Sequence, residues 1–231
     1  MPEFSKDSKN RNNDAWVVFL DVFGFSSMVT SRDNSKLLGQ LRNSYEAVFK
    51  MDFWNENIVK SFAFSDNIYL VFPINKKGDN LSILQKCIDA VSQMQNSFVV
   101  EGLPLRGGIA YGSVYFENNL LLGETVLRAY HYEQLLHIPL VLLPACEIIR
   151  TGRKEATPFL PPPKDILLKN NELIFGAYIH PEPIDNMERM AKEKYEDHRL
   201  NGPYGIARSW KDTLEEVQYH KNYLKSRAGG N

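Results

Sequence analysis

Cysteine is nearly absent: Cys87 and Cys146 are the two in 231 residues, and neither belongs to a CxxC pair. A disulfide framework, a cysteine-rich zinc site and a dithiol redox centre are thereby excluded. Both cysteines sit in apolar periodic segments and read as small buried hydrophobes. There is no HExxH, and there are no internal repeats. Charge of one sign is also missing: 27 Lys and Arg stand against 28 Asp and Glu, a net charge of −1. That excludes a general nucleic-acid or membrane-surface binder, though a small anionic ligand needs only a local site. No apolar run approaches the roughly 20 residues of a membrane span. The opening MPEFSKDSKNRNNDA has no apolar core of signal-peptide length, so a cytoplasmic protein is expected.

What is present is the composition of a soluble globular chain, 43% hydrophobic and 24% charged. Residues 1–15 read as a disordered arm, and Trp16–Asp21 as a strand buried on both faces. Leu37, Leu38, Leu41, Tyr45, Val48 and Phe49 form a helical stripe between Ser35 and Asp52. Ile58–Phe64 and Asn67–Phe72 predict a hairpin tipped by Ser65-Asp66. A second amphipathic helix carries Leu84, Ile88, Val91, Met94 and Phe98 on one face. Leu105–Val114 is a strand with glycines at 107, 108 and 112, where close approach of a ligand or another backbone is expected. Residues 123–136 predict a third helix and Pro139–Leu143 another strand. The order predicts a ferredoxin-like α+β domain over 16–150, its antiparallel or mixed sheet covered by helices on one face. After the proline-rich 158–163, the remainder of 151–231 predicts a hairpin, Ile166–Leu168 with Leu173–Ala177, and helices near 184–198 and 206–225.

Two acids carry the chemistry. Asp21 ends the apolar run Val17-Val18-Phe19-Leu20, ahead of the turn Phe23-Gly24-Phe25 and two serines. Asp66 lies at the hairpin tip. In a ferredoxin-like sheet these points can lie side by side, where two carboxylates would hold Mg²⁺ or Mn²⁺ with substrate phosphates completing the shell. Taken singly, each has a plainer explanation: Asp21 as a helix cap, Asp66 as a turn former.

FLDVFGFSSMV resembles the first metal-binding segment of class III nucleotide cyclases, and FSDNIYLVF the second. LRGGIAYGSVY resembles their glycine-rich strand and GETVLRAYHYEQ the helix after it. These segments run in the family's order across residues 16–143. The resemblance implies a ferredoxin-like catalytic domain working as a head-to-tail homodimer with sites at the interface. It implies attack of a ribose 3′-oxygen on the α-phosphate with release of pyrophosphate. By matched position Asp21 and Asp66 become metal ligands, with the Val22 carbonyl as a backbone ligand and two Mg²⁺ or Mn²⁺ ions per site. The N–H groups of Phe23, Gly24, Phe25 and Ser26 are expected to hold the triphosphate.

Departures from the family pattern narrow the substrate. By ungapped matching, the base-reading Lys becomes Phe62 and the purine-reading acid Leu120. The ribose Asn becomes Leu127 and the transition-state Arg becomes His131. A site that reads a purine by polar groups does not tolerate their loss, so adenine is disfavoured. The chain is similar instead to the short pyrimidine cyclases of Pycsar antiphage defence, which turn UTP or CTP into a cyclic mononucleotide that activates a separate effector. UTP is the expected substrate and CTP the alternative. Phe62 is a candidate to stack on the base, or else an ordinary strand core position. For transition-state charge Arg106 is the first candidate, also for base or phosphate contact; Arg128 is the second and Lys60 a third. The competing readings are a degenerate, non-catalytic nucleotide binder and an ordinary purine cyclase, the latter disfavoured by Phe62 and Leu120.

Overall fold

Strand β1, Asn13–Val22, occupies the middle of the sheet because its side chains are apolar on both faces. Trp16, Val18, Leu20 and Val22 enter one core; Ala15, Val17 and Phe19 enter another on the opposite face. A computed structural model describes residues 13–31, 33–50, 59–74, 80–117, 120–151, 174–177, 181–201 and 204–228. After β1 come the short helix α1 (Phe25–Ser31), α2 (Asn34–Phe49), the hairpin β2 (Lys60–Phe64) and β3 (Asn67–Pro73), and α3 (Asn80–Val100). Then follow β4 (Leu105–Glu117), β5 (Leu120–Leu122), α4 (Glu124–Gln134), β6 (Val141–Pro144), α5 (Ala145–Arg150), β7 (Ile174–Ala177), α6 (Pro181–Asn201) and α7 (Tyr204–Ala228).

The seven-stranded sheet runs β2-β3-β1-β4-β6-β7, with β5 paired to β4. The four strands β2-β3-β1-β4 are antiparallel neighbours, the ferredoxin-like order expected from the element sequence. β6 joins β4 in parallel and β7 joins β6 antiparallel. Helices α2 and α3 cover the face that holds Trp16, Val18 and Leu20, where Leu37, Val48, Leu84, Val91 and Phe98 are buried. Burying each such large side chain contributes about 1.5–3 kcal/mol.

The expectation of helices on one face alone is corrected here. α4 covers the other face through Val126 and Ala129, because the odd-numbered residues of β1 are as apolar as the even ones. The expected disordered arm lies outside the described residues up to 12. From Asn13 the chain already pairs with β4, and the Asp14 carbonyl accepts from the Ile74 N–H at 2.8 Å. Ile166–Leu168 and the prolines at 158–163 also lie outside the described residues; β7, predicted as their partner, pairs with β6.

Local chemistry explains several boundaries. The Asp33 carboxylate caps α2, accepting from the Ser35 N–H at 2.8 Å. Ser65 takes φ +59° in the two-residue connection between Phe64 and Asn67. No described helix is long and apolar enough to cross a membrane.

Candidate functional site

Alternation along β1 carries Asp21 onto the α4 face, after Val17 and Phe19. Its neighbours in register are Asn67 on β3 and Arg106 on β4. That register brings the hairpin tip and the start of the glycine-rich strand to one point. The Asp66 carboxyl shares a hydrogen bond with that of Asp21, and Asn67 Nδ2 donates to Asp66 Oδ1 at 3.4 Å. Arg106 reaches Asp21 Oδ2 from Nε at 3.3 Å and from Nη2 at 3.1 Å. The same guanidinium pairs with Glu133 of α4, whose side chain is fully buried, and donates from Nη1 to the Leu136 carbonyl at 3.3 Å.

The electrostatics of this cluster are unbalanced. Burial, then the hydrogen bond and charge of Asp66, push the Asp21 carboxyl from 3.8 up to about 7, against the pull of Arg106. Glu133 is also raised, chiefly by burial, and Arg106 lowers it only in part. Two hydrogen-bonded carboxyls of which one resists ionisation near neutrality fit a hard divalent cation, whose charge would relieve the repulsion and burial cost together. Among the described residues no group of three or more His, Cys, Asp or Glu forms a ready metal cage. The carboxyls that meet at the end of β1 are those of the two aspartates.

The loop after β1 is fixed at both ends. Phe23 donates its N–H to the Pro104 carbonyl at 2.8 Å, which engages the first of the four N–H groups expected to meet phosphate. Gly24 takes φ +79°, a conformation that favours glycine. The first intrahelical bond of α1 runs from the Met28 N–H to the Gly24 carbonyl, so the N–H groups of Phe25 and Ser26 precede the ladder. The Phe23 ring lies under Arg106, 5.6 Å from centroid to Cζ, and meets Trp210 of α7 edge-on at 5.4 Å.

Arg128 belongs to a different cluster. It donates to Glu147 Oε1 at 2.9 Å, to Glu124 at 2.9 Å and to the Tyr111 carbonyl at 2.7 Å. Glu147 is fully buried and also accepts from Tyr132 Oη at 2.6 Å and from the Tyr111 N–H at 2.9 Å. Arg128 lines a polar cavity of about 640 Å³ with Asp14, Ser113 and Arg150. The helix turn separates it from Glu133, so the two candidate arginines do not converge on one point in this chain.

The glycine-rich strand answers the question its composition raised: the close approach is by backbone. A Cβ on Gly107 would stand 2.1 Å from the Phe19 carbonyl oxygen. One on Gly108 would stand 2.3 Å from the Ala129 carbonyl oxygen and 2.6 Å from Tyr132 Cβ. These glycines let β1 and α4 close onto β4, which is what sets Glu133 against Arg106.

Phe62 lies on the edge strand β2, half-buried at the margin of the α4-side core, and Phe64 beside it is 83% exposed. Leu120, Leu127 and His131, at the positions matched to the purine-reading acid, the ribose Asn and the transition-state Arg, are exposed. Sequence reasoning missed Trp210 and Tyr45. The Tyr45 hydroxyl is buried without a hydrogen-bond partner among the described residues, and burial followed by the Asp66 charge raises its ionisation to about 12. A tyrosine in an amphipathic stripe and a tryptophan in a polar helix carry no local sign of what they touch.

No family model matches the chain, and no curated protein sequence matches it. Solved structures do. The catalytic core of a rhodopsin-guanylyl cyclase with converted specificity, in complex with ATPαS, aligns at TM-score 0.50 and 15% identity, covering 71% of this chain and 93% of that one. The guanylyl cyclase Cya2 aligns at 0.45 and 16% identity, covering 61% and 79%. The adenylyl cyclase CyaB from P. aeruginosa aligns at 0.45 and 18% identity, covering 59% and 79%. With a mixed sheet and helices packed on it, the chain carries the fold of the class III nucleotide-cyclase catalytic domain.

Proposed function

We propose that this protein is a Mg²⁺- or Mn²⁺-dependent nucleotide cyclase that converts UTP to 3′,5′-cyclic UMP and pyrophosphate. The observation that carries the proposal is the meeting of Asp21 and Asp66 at the end of β1, on a cyclase fold. Asp21, Asp66 and the Val22 carbonyl would hold the metal ions. When bound, the metals supply Lewis-acid activation of the ribose 3′-oxygen and neutralise phosphate charge. The turn from Gly24 to Ser26 borders the position of the triphosphate. Arg106, held by Asp21 and Glu133, provides the positive charge that meets the phosphates.

A pyrimidine is preferred because Phe62 and Leu120 offer apolar surface where polar groups would read a purine. CTP is the alternative substrate. Phe64, Leu120, Leu122 and Leu127 are exposed large hydrophobics on β2, β5 and α4, and a second copy of the chain in a homodimer would cover apolar groups of this kind. The product would act in the cytoplasm as a second messenger that activates a separate antiviral effector. A nucleotide-binding domain without catalysis is the second reading, favoured by Leu127 and His131 where ribose and transition-state groups were expected.

The test is incubation of the purified protein with Mn²⁺ and each of the four NTPs, with products identified by mass spectrometry. Cyclic UMP from the wild type and none from Asp21→Ala or Asp66→Ala supports the proposal. Absence of any cyclic product from all four sinks it. Binding of nucleotide without pyrophosphate release favours the second reading.

A further inference from the structure

The C-terminal hairpin of α6 and α7 packs on the end of α3 and on the segment that follows α4. Met187, Met190, Trp210 and Val217 are buried there against Val99, Leu136 and Leu140. Trp210, 3% exposed, projects from this core to the metal loop and meets the Phe23 ring edge-on at 5.4 Å and 85°. Phe23 directly follows Asp21 and Val22, and its own N–H is fastened to Pro104. The same ring lies under the Arg106 guanidinium, which holds Asp21. A second tie runs through Leu136, a member of the same core, whose carbonyl accepts from Arg106. One aromatic contact and one carbonyl thus join the C-terminal core to both groups that flank Asp21.

We infer that the α6–α7 hairpin is part of the acid site, and that Trp210 is a positioning residue that fixes the turn at Phe23, directly after the strand-end pair Asp21 and Val22. The inference rests on the reading of Asp21 and Asp66 as metal ligands. Ligands at a strand end bind a cation well only if the turn that follows is held before the cation arrives, and Phe23 is that turn's anchoring side chain. An edge-to-face contact is specific to an aromatic ring, so an aliphatic replacement fills the space without restoring the hold.

The experiment compares full-length wild type, Trp210→Leu, Trp210→Phe and Val217→Ala for Mn²⁺ affinity by calorimetry and for thermal stability, both without nucleotide. Val217→Ala, two turns along α7 in the same core, reports what loss of stability alone does. The expected result is about tenfold weaker Mn²⁺ binding for Trp210→Leu. Trp210→Phe and Val217→Ala should stay within about threefold of wild type, whatever their melting temperatures. Unchanged affinity in Trp210→Leu overturns the inference, as does an equal loss in Val217→Ala. A wild type that binds no Mn²⁺ overturns the metal-ligand reading itself, and that outcome is distinguishable because it precedes any comparison of variants.

Discussion

Replacing Asp21 with asparagine should make the metal-free protein more stable while abolishing the proposed cyclase activity. The Asp21 carboxyl lies at about 7 in the fold against 3.8 in a free chain, so the native state binds more protons than the unfolded state between those values. Stability is therefore highest below about pH 4 as far as this group is concerned. It is lost as pH rises towards 7, and is flat above. A rise of that size corresponds to about 4 kcal/mol at full ionisation. Asp66 shares the effect, and asparagine forfeits the charged contact with Arg106, which keeps Glu133 and the Leu136 carbonyl. A net gain of about 1–2 kcal/mol at pH 8 follows, and in a chain of this size each kcal/mol raises the melting temperature by about 2–4 °C. Thermal melts from pH 5 to 8 without metal provide the assay. Wild-type stability should decline more steeply across that range than the variant's, which keeps only the slope of Glu133. Saturating Mn²⁺ should reverse the order, since a cation at a hundred times its Kd stabilises the wild type by about 2.7 kcal/mol. A variant that melts lower than wild type at pH 8, or one with the same pH slope, would refute the reasoning.

Gly108→Ala should cost about 3 kcal/mol or more, because the new Cβ meets the Ala129 carbonyl and Tyr132 Cβ and α4 must move; chemical denaturation measures it. Gly39→Ala, within α2 and with nothing inside 4 Å of its Cβ, should instead stabilise by about 0.5–1 kcal/mol in the same assay. Phe62→Ala should raise KM for UTP about tenfold with a smaller change in kcat, as expected for loss of one stacking contact; steady-state kinetics that show unchanged KM would remove Phe62 from the base pocket. Arg128→Ala should lower the melting temperature, since it leaves the fully buried Glu147 short of a cation, without changing Mn²⁺ affinity measured by calorimetry.

The sequence by itself determined much of this protein. Apolar residues on both faces of 16–20 demanded a central strand, the stripes from Leu37 and Leu84 demanded covering helices, and Ser65-Asp66 between two β-rich runs demanded a hairpin. These are local patterns, and local patterns are what a linear chain displays. Asp21 at the end of that strand and Asp66 at that tip followed from the same patterns. Only the tertiary structure decided what each group meets. Register, which one residue of slip would invert, set Asp21 between Asn67 and Arg106. The glycines at 107 and 108 proved to admit the backbones of β1 and α4, and Arg128 turned to Glu147 while Arg106 took Asp21 and Glu133. Trp210 stands 187 positions from Phe23, and no periodicity spans that separation. Periodicity tells which face a side chain takes, whereas its partner across the fold depends on how whole elements dock.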